Sequence, residues 1–435
     1  MKLPIYQWSD LTASERVDIL ARPAIAAGKE ITTTVGDIMT TVREEGDDAL
    51  RDYSAQFDQV QLDELRVSAL EFADAELSLG FKDREAILHA IENIRRFHEA
   101  QRRIDIDMET APGVRCQRLT RPIQAVGLYV PAGSAPLPSA AMMLAIPAAI
   151  AGCPTRVLCT PPDSDGNVDP AILFAAHESG IRDIFKVGGA QAIAAMAYGT
   201  ETVPKVDKLF GPGNAYVTEA KAQAASDPRG AAQDMPAGPS EVLVIADTTA
   251  RPHYVAADLL SQAEHGPDSQ VILLTDSASL IKHVVLAIEQ QLESLSRSKT
   301  IKHALKNSAL IEVATIDEAI DISNGYEPEH LIIDPRDARE RLGAVQNAGA
   351  VCLGSLTPES LGDYCSGTNH VLPTYGYARN YSGLGIDQFC LQMSVQEVMP
   401  NGLRNIGPTA ARLAQLERLA AHRLAVDLRL EDLDD

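Results

Sequence analysis

The chain reads as an α/β protein built from two α/β domains that face one cleft. Three observations carry this. Short β-rich apolar runs alternate with helical stretches from about residue 122 onward. The alternation comes in two successive series, as parallel sheets with right-handed crossovers require. And 435 residues exceed what one hydrophobic core organises.

The first series of strands falls at 125–130, 156–159, 183–187 and 208–210. The second falls at 241–245, 270–274, 309–313, 330–333 and 350–353. Helical patterns such as 170–177 and 279–288 fit between them. The similarity of Arg156-Val-Leu-Cys-Thr to Gln270-Val-Ile-Leu-Leu-Thr is a weak hint of duplication. Residues 1–120 read as mainly helical, with Asp83 as a plausible N-cap of an amphipathic helix. The expected division is a helical region 1–120, a first α/β domain 121–239, a second 240–375, and a tail 376–435. In that tail, 409–428 reads as one amphipathic helix that needs a surface to pack on.

Composition narrows the function. A net charge of −22 leaves no basic footprint for nucleic acid or an anionic membrane, and mildly favours a small cationic substrate. The longest apolar stretch, 140–153, is too short to span a bilayer and contains Pro147, so it reads as a buried helix. The six cysteines are scattered, with no CxxC pair and no secretory signal, which points to reduced thiols in a cytoplasm. Cys116 and Cys153 read as inert. Cys365 lies in a polar loop where its oxidation would matter.

Four constellations can carry chemistry. Gln262 and His265, three apart near a helix end, would face the same way, about 60° apart. An amide is an unusual zinc ligand, so the pair alone fits a solvated helix end better than a metal site. Glu329-His330 could supply a base and a second proton carrier, provided the chain breaks regular strand geometry there, as Pro328 favours. The pair precedes its strand, whereas ligands in open α/β sheets sit past the carboxyl ends. The loop 358–373 offers Glu359, Asp363 and His370, more metal- and proton-active groups than a connection needs. Gly188-Gly189-Ala-Gln191 and Gly211-Pro-Gly213-Asn214 each join a strand to a helix. They could present amides to a phosphate or be purely structural. Neither completes GxGxxG, because position 216 is tyrosine, so a dinucleotide could bind here only without the usual fingerprint. Glu417 and His422, five apart on the last helix, would not share a face.

Taken together, these segments resemble the histidinol dehydrogenase family through nearly the whole chain. The resemblance runs from Arg22-Pro-Ala-Ile through Gly127-Leu-Tyr-Val-Pro-Ala-Gly and Gly211-Pro-Gly-Asn-Ala-Tyr-Val. It continues in Met235-Pro-Ala-Gly-Pro-Ser-Glu-Val, Ser261-Gln-Ala-Glu-His-Gly, Pro328-Glu-His-Leu and Ser366-Gly-Thr-Asn-His-Val-Leu-Pro. It implies two incomplete Rossmann-like domains and a homodimer whose C-terminal tails swap to share the active sites. It implies one Zn2+ per subunit held by Gln262, His265, Asp363 and His422. It implies substrate contacts from Ser240, Gln262, His265, His330, Glu359, Asp363, His370, Glu417 and His422. NAD would meet Tyr129, Gln191 and Asn214. The implied activity is NAD-linked oxidation of histidinol through the aldehyde to histidine, with Glu329 and His330 as the acid–base pair. A paralogue acting on another amino alcohol or sulfonate alcohol is the alternative, and the retained Glu359, His370 and Glu417 speak against it.

Overall fold

The computed structural model describes residues 3–23, 29–132, 135–236 and 238–434. Its strands, in chain order, are β1 (Ile5–Gln7), β2 (Ile106–Ala111), β3 (Val114–Pro122), β4 (Ala125–Tyr129), β5 (Thr155–Thr160), β6 (Asp183–Lys186) and β7 (Lys208–Phe210). There follow β8 (Ala232–Gln233), β9 (Glu241–Ala246), β10 (Gln270–Thr275), β11 (Ala309–Glu312), β12 (His330–Ile333), β13 (Ala350–Leu353) and β14 (Cys390–Val398). They form a five-stranded sheet β6-β5-β4-β7-β8, a six-stranded sheet β1-β11-β10-β9-β12-β13, and a three-stranded sheet β14-β3-β2. The two larger sheets are parallel throughout and the small one is antiparallel.

Both faces of the parallel sheets are covered, so their central strands are continuous apolar runs instead of alternating ones. Every residue of β9 and β10 is buried. In the five-stranded sheet, one face carries the helices Phe81–Glu99, Pro138–Ala151 and Pro170–Glu178. The other carries Lys29–Glu45, Gly189–Tyr198 and Ala215–Ser226. In the six-stranded sheet, Pro252–Ala263 and Ala278–Leu292 cover one face, and Ile316–Tyr326 with Trp8 covers the other.

The apolar stretch 140–153 lies mostly in the buried helix Pro138–Ala151. No helix among the described residues is long and apolar enough to cross a membrane. Pro147 has no N–H to donate to the carbonyl of Met143. That carbonyl instead accepts from Asn369 Nδ2 at 2.8 Å. A helix-breaking residue thereby anchors the loop that carries His370.

Several local expectations differ from the structure. Residues 5–7 are not part of a helical region. They form an edge strand beside β11, in register Ile5↔Leu310. Residues 106–122 are a β-hairpin completed by β14, more than 260 residues further along the chain. A half-exposed strand whose partner lies so far away carries little local signal. The helix expected to start at Asp83 starts after Gly80. The single C-terminal helix is two helices, Pro400–Leu416 and Ala420–Asp434, broken where Arg418 adopts φ 63°.

Candidate active site

The carboxyl ends of β4, β6 and β7 gather one group of candidate residues. Tyr129 closes β4, and its phenol oxygen accepts the Gly189 N–H at 3.0 Å. Burial pushes that phenol up to about 12. Gln191 is buried in the first turn of its helix. Gly211, at φ +119°, packs so close that a Cβ there would lie 2.2 Å from the Tyr129 carbonyl oxygen. Asn214 caps the next helix, its Oδ1 accepting from Tyr216 N and Val217 N at 3.0 and 3.1 Å. Gly211 N donates to Asp234 Oδ2 at 2.9 Å, and Lys221 Nζ holds the Gly211 carbonyl at 2.9 Å while pairing with Asp234. The Gly211 turn is therefore clamped by a buried ion pair, and the amides of Gly189, Gly211, Tyr216 and Val217 are engaged internally. What these turns offer a ligand is side chains and shape more than those amides.

The second group sits at the amino ends of β9 and β12, opposite to the usual position in open sheets. Glu327, at φ 61°, ends the helix Ile316–Tyr326 in the left-handed conformation. This turn and Pro328 bring Glu329 in just before β12, with His330 as its first residue. Neighbours that would diverge on a regular strand converge here. Glu329 Oε2 lies 3.7 Å from His330 Nδ1. Glu329 Oε2 also accepts the Glu241 N–H at 2.8 Å. Gln262 Nε2 is 3.3 Å from each of Glu241 O, Glu329 Oε2 and His330 Nδ1. On the other side of the ring, His330 Nε2 is 3.3 Å from Asp363 Oδ1.

The remaining groups adjoin this centre. Glu359 is buried, and its Oε1 accepts from Ser261 Oγ at 2.6 Å. His370 Nδ1 donates to the Asp363 carbonyl at 2.9 Å, and Asn369 pins the same loop. His265 lies beyond the helix end and is exposed, its Nδ1 3.1 Å from Ser261 O. It is still close enough for its charge to act on Asp363 and His370. Ser240, whose carbonyl accepts Gln270 N at 3.1 Å, ends the connection between the sheets. A cavity of about 880 Å3 opens here, lined by His330, Glu359 and Asp363 together with Lys208 of β7.

Burial dominates the electrostatics. It drives the Glu329 carboxyl upward, against the pull of His330 and the Glu241 N–H. Burial alone would strip the His330 proton, but the Glu329 charge and the Asp363 hydrogen bond outweigh it and raise His330. Burial also raises Glu359 to about 7. Asp363 is half-buried; desolvation pushes it upward too, yet the His330 hydrogen bond and charge keep it below the ordinary carboxylate range. His370 is pushed down by burial and so kept neutral. The result is a proton-sharing centre with Asp363 as its anion.

Of the carried-over residues, Gln262, Glu329, His330, Glu359, Asp363 and His370 come together within one chain. Glu417 and His422 do not; both are exposed on the C-terminal hairpin. Among the described residues no three His, Cys, Asp or Glu side chains form a metal-holding group. The donor set of a single chain is thus incomplete for the zinc that the resemblance implies. Two observations nonetheless fit a cation. Gln262 Oε1 is buried without a hydrogen-bond partner, an arrangement that is costly unless something accepts its lone pairs. Asp363, beside it through His330, holds a negative charge in a half-buried place. Glu359 Oε2 is likewise buried and unpartnered, which suits a substrate donor.

Glu241, Arg22, Ser261 and Asn369 were not singled out from the sequence. Glu241 had one visible signal, a carboxylate opening a strand that is otherwise wholly apolar.

Two parallel sheets joined at a cleft that holds a buried Glu–His–Asp centre define an α/β enzyme built for proton transfer. Comparison with known proteins gives the particular family. The histidinol dehydrogenase family model matches residues 21–430. A histidinol dehydrogenase of Pectobacterium atrosepticum is 54% identical over 431 residues, covering 99% of this chain and 97% of that protein. That of Escherichia coli K12 is 53% identical, covering 99% and 98%. The crystal structure of histidinol dehydrogenase from Elizabethkingia anophelis superposes with a TM-score of 0.96 at 46% identity, covering 100% of this chain and 99% of that one. The chain belongs to the histidinol dehydrogenase family, a family of oxidoreductases.

Proposed function

We propose that this protein oxidises histidinol through the bound aldehyde to histidine, in two successive NAD-linked steps at one site. The observation that carries the reading is the buried centre in which Gln262, Glu329, His330 and Asp363 meet beside a cavity. Gln262, His265 and Asp363 of one chain, with His422 from a second copy, would hold one zinc ion per subunit. Zinc, when bound, supplies a template that fixes the imidazole and amine of the substrate. NAD, when bound along Tyr129, Gln191 and Asn214, supplies the hydride acceptor in each oxidation.

The chain's own residues do the rest. His330 takes the hydroxyl proton while the carbinol carbon gives up its hydride, leaving the aldehyde. Glu329 takes a proton from water as the water oxygen adds to the aldehyde carbon, and protonated His330 returns its proton to the former carbonyl oxygen, giving the hydrate and restoring His330 as a base. His330 then takes a hydroxyl proton of the hydrate as the second hydride leaves, and the carboxylate results. One water is consumed and two hydrides depart. Glu359, held by Ser261, faces the cationic end of the substrate with its unpartnered oxygen, aided by Ser240, His370 and a second copy's Glu417. The tail hairpin would thus complete a neighbour's site in a cytoplasmic homodimer. The four regions bounded at residues 120, 239 and 375 remain the proposed domain division.

The division of labour is tested by Glu329→Gln. Hydration should slow about 100-fold while the first oxidation continues, so that a carbonyl reagent traps aldehyde from the variant. Equal loss of aldehyde and acid formation would contradict a role of Glu329 confined to water.

A further inference from the structure

We propose that Arg22 and Glu241 are positioning residues that set Glu329, His330 and Gln262 in working geometry. The inference rests on the dehydrogenase reading of the site. All three of these side chains take their reference from the backbone of one residue. The Glu241 N–H donates to Glu329 Oε2 at 2.8 Å. The Glu241 carbonyl lies 3.3 Å from both His330 Nδ1 and Gln262 Nε2. A shift of this single residue would displace the base, the water-activating carboxyl and the amide together.

The Glu241 side chain is what fixes that backbone. It is almost fully buried, and Arg22 grips it with both arms of the guanidinium, Nε to Oε1 at 2.5 Å and Nη2 to Oε2 at 3.0 Å. The Tyr375 N–H adds a third bond to Oε1 at 2.8 Å. Arg22 also donates to the carbonyls of Tyr326 at 2.6 Å and Glu327 at 3.3 Å, and its guanidinium stacks 4.1 Å from the Tyr326 ring centroid. One side chain therefore ties the start of β9 to the residues immediately before Pro328-Glu329-His330.

A second feature converges on the same place. Glu327 and Tyr375 are both non-glycine residues at positive φ, 61° and 59°. Such conformations persist where surrounding contacts over-determine them. Here each residue uses its backbone to meet the Arg22–Glu241 pair. A planar fork with fixed donors suits this; a lysine ammonium retains the charge but cannot reproduce the two-armed grip.

The test compares wild type with Arg22→Lys, Arg22→Ala and Glu241→Gln, using histidinol and NAD, with melting curves to verify folding. We expect kcat to fall about 100-fold in Arg22→Ala and about 10-fold in Arg22→Lys and Glu241→Gln, with KM for both substrates within about threefold of wild type. A purely structural role would lower the melting temperature and leave kcat per folded enzyme unchanged. A folded Arg22→Ala enzyme with kcat within twofold of wild type overturns the proposal, as does a loss that appears in KM alone. If Arg22→Ala does not fold, wild-type kcat in both Arg22→Lys and Glu241→Gln overturns it. Failure of wild type itself to reduce NAD with histidinol would instead remove the reading on which it rests.

Discussion

Asp258 shows what burial does to a single residue in this protein. Burial, with Asp334 nearby, raises its carboxyl from 3.8 to about 7. The folded state therefore binds more protons than the unfolded chain between those values, and Asp258 costs stability as pH rises through that window. Asp258→Asn should raise the melting temperature clearly more at pH 8 than at pH 5, where only part of the cost has accumulated; equal gains at both would contradict this. The residues legible in the sequence were those whose side chains carry chemistry. Glu329, His330 and Asp363 were candidates by side-chain type, and it was their conjunction with the other motifs, not any one of them alone, that pointed to a site. Glu241 and Asn369 were not legible, because each acts through backbone contacts that only the fold brings together. The Glu241 peptide holds three side chains, and Asn369 satisfies a carbonyl freed by Pro147.

At the scale of elements, legibility followed burial. β9, β10 and β12 are buried on both faces, so each has an apolar run behind a polar first residue, which makes the strand visible in the sequence. β3 and β14 pair across a long stretch of chain, β3 half-buried and β14 largely exposed, and their residues alone do not announce a sheet. The Gly211 turn was ambiguous for another reason. Its glycine signals a tight approach, and the approach proves to be to the Tyr129 backbone. The same turn depends on the buried Lys221–Asp234 pair. Lys221→Met should destabilise the protein by about 3–5 kcal/mol, because it leaves Asp234 as a buried charge without its cation. Denaturant unfolding of the variant measures this, and a loss below about 1 kcal/mol would show that the pair does not hold the turn.

At the scale of the whole molecule, the tail hairpin is the part a single chain leaves unexplained. Leu413, Leu416, Leu424 and Leu428 are exposed on it, and so are Glu417 and His422. If a second copy receives these groups, heterodimers of His330→Ala and His422→Ala subunits should regain activity that neither homodimer has. Verified heterodimers without recovery would contradict shared sites. The central claim is a double oxidation at one metal-assisted centre, and the most direct measurement is the NADH formed per histidinol consumed, with and without a zinc chelator. Two NADH per histidinol, lost on chelation and restored by zinc, is the predicted result. One NADH per histidinol, or turnover indifferent to chelation, would contradict it.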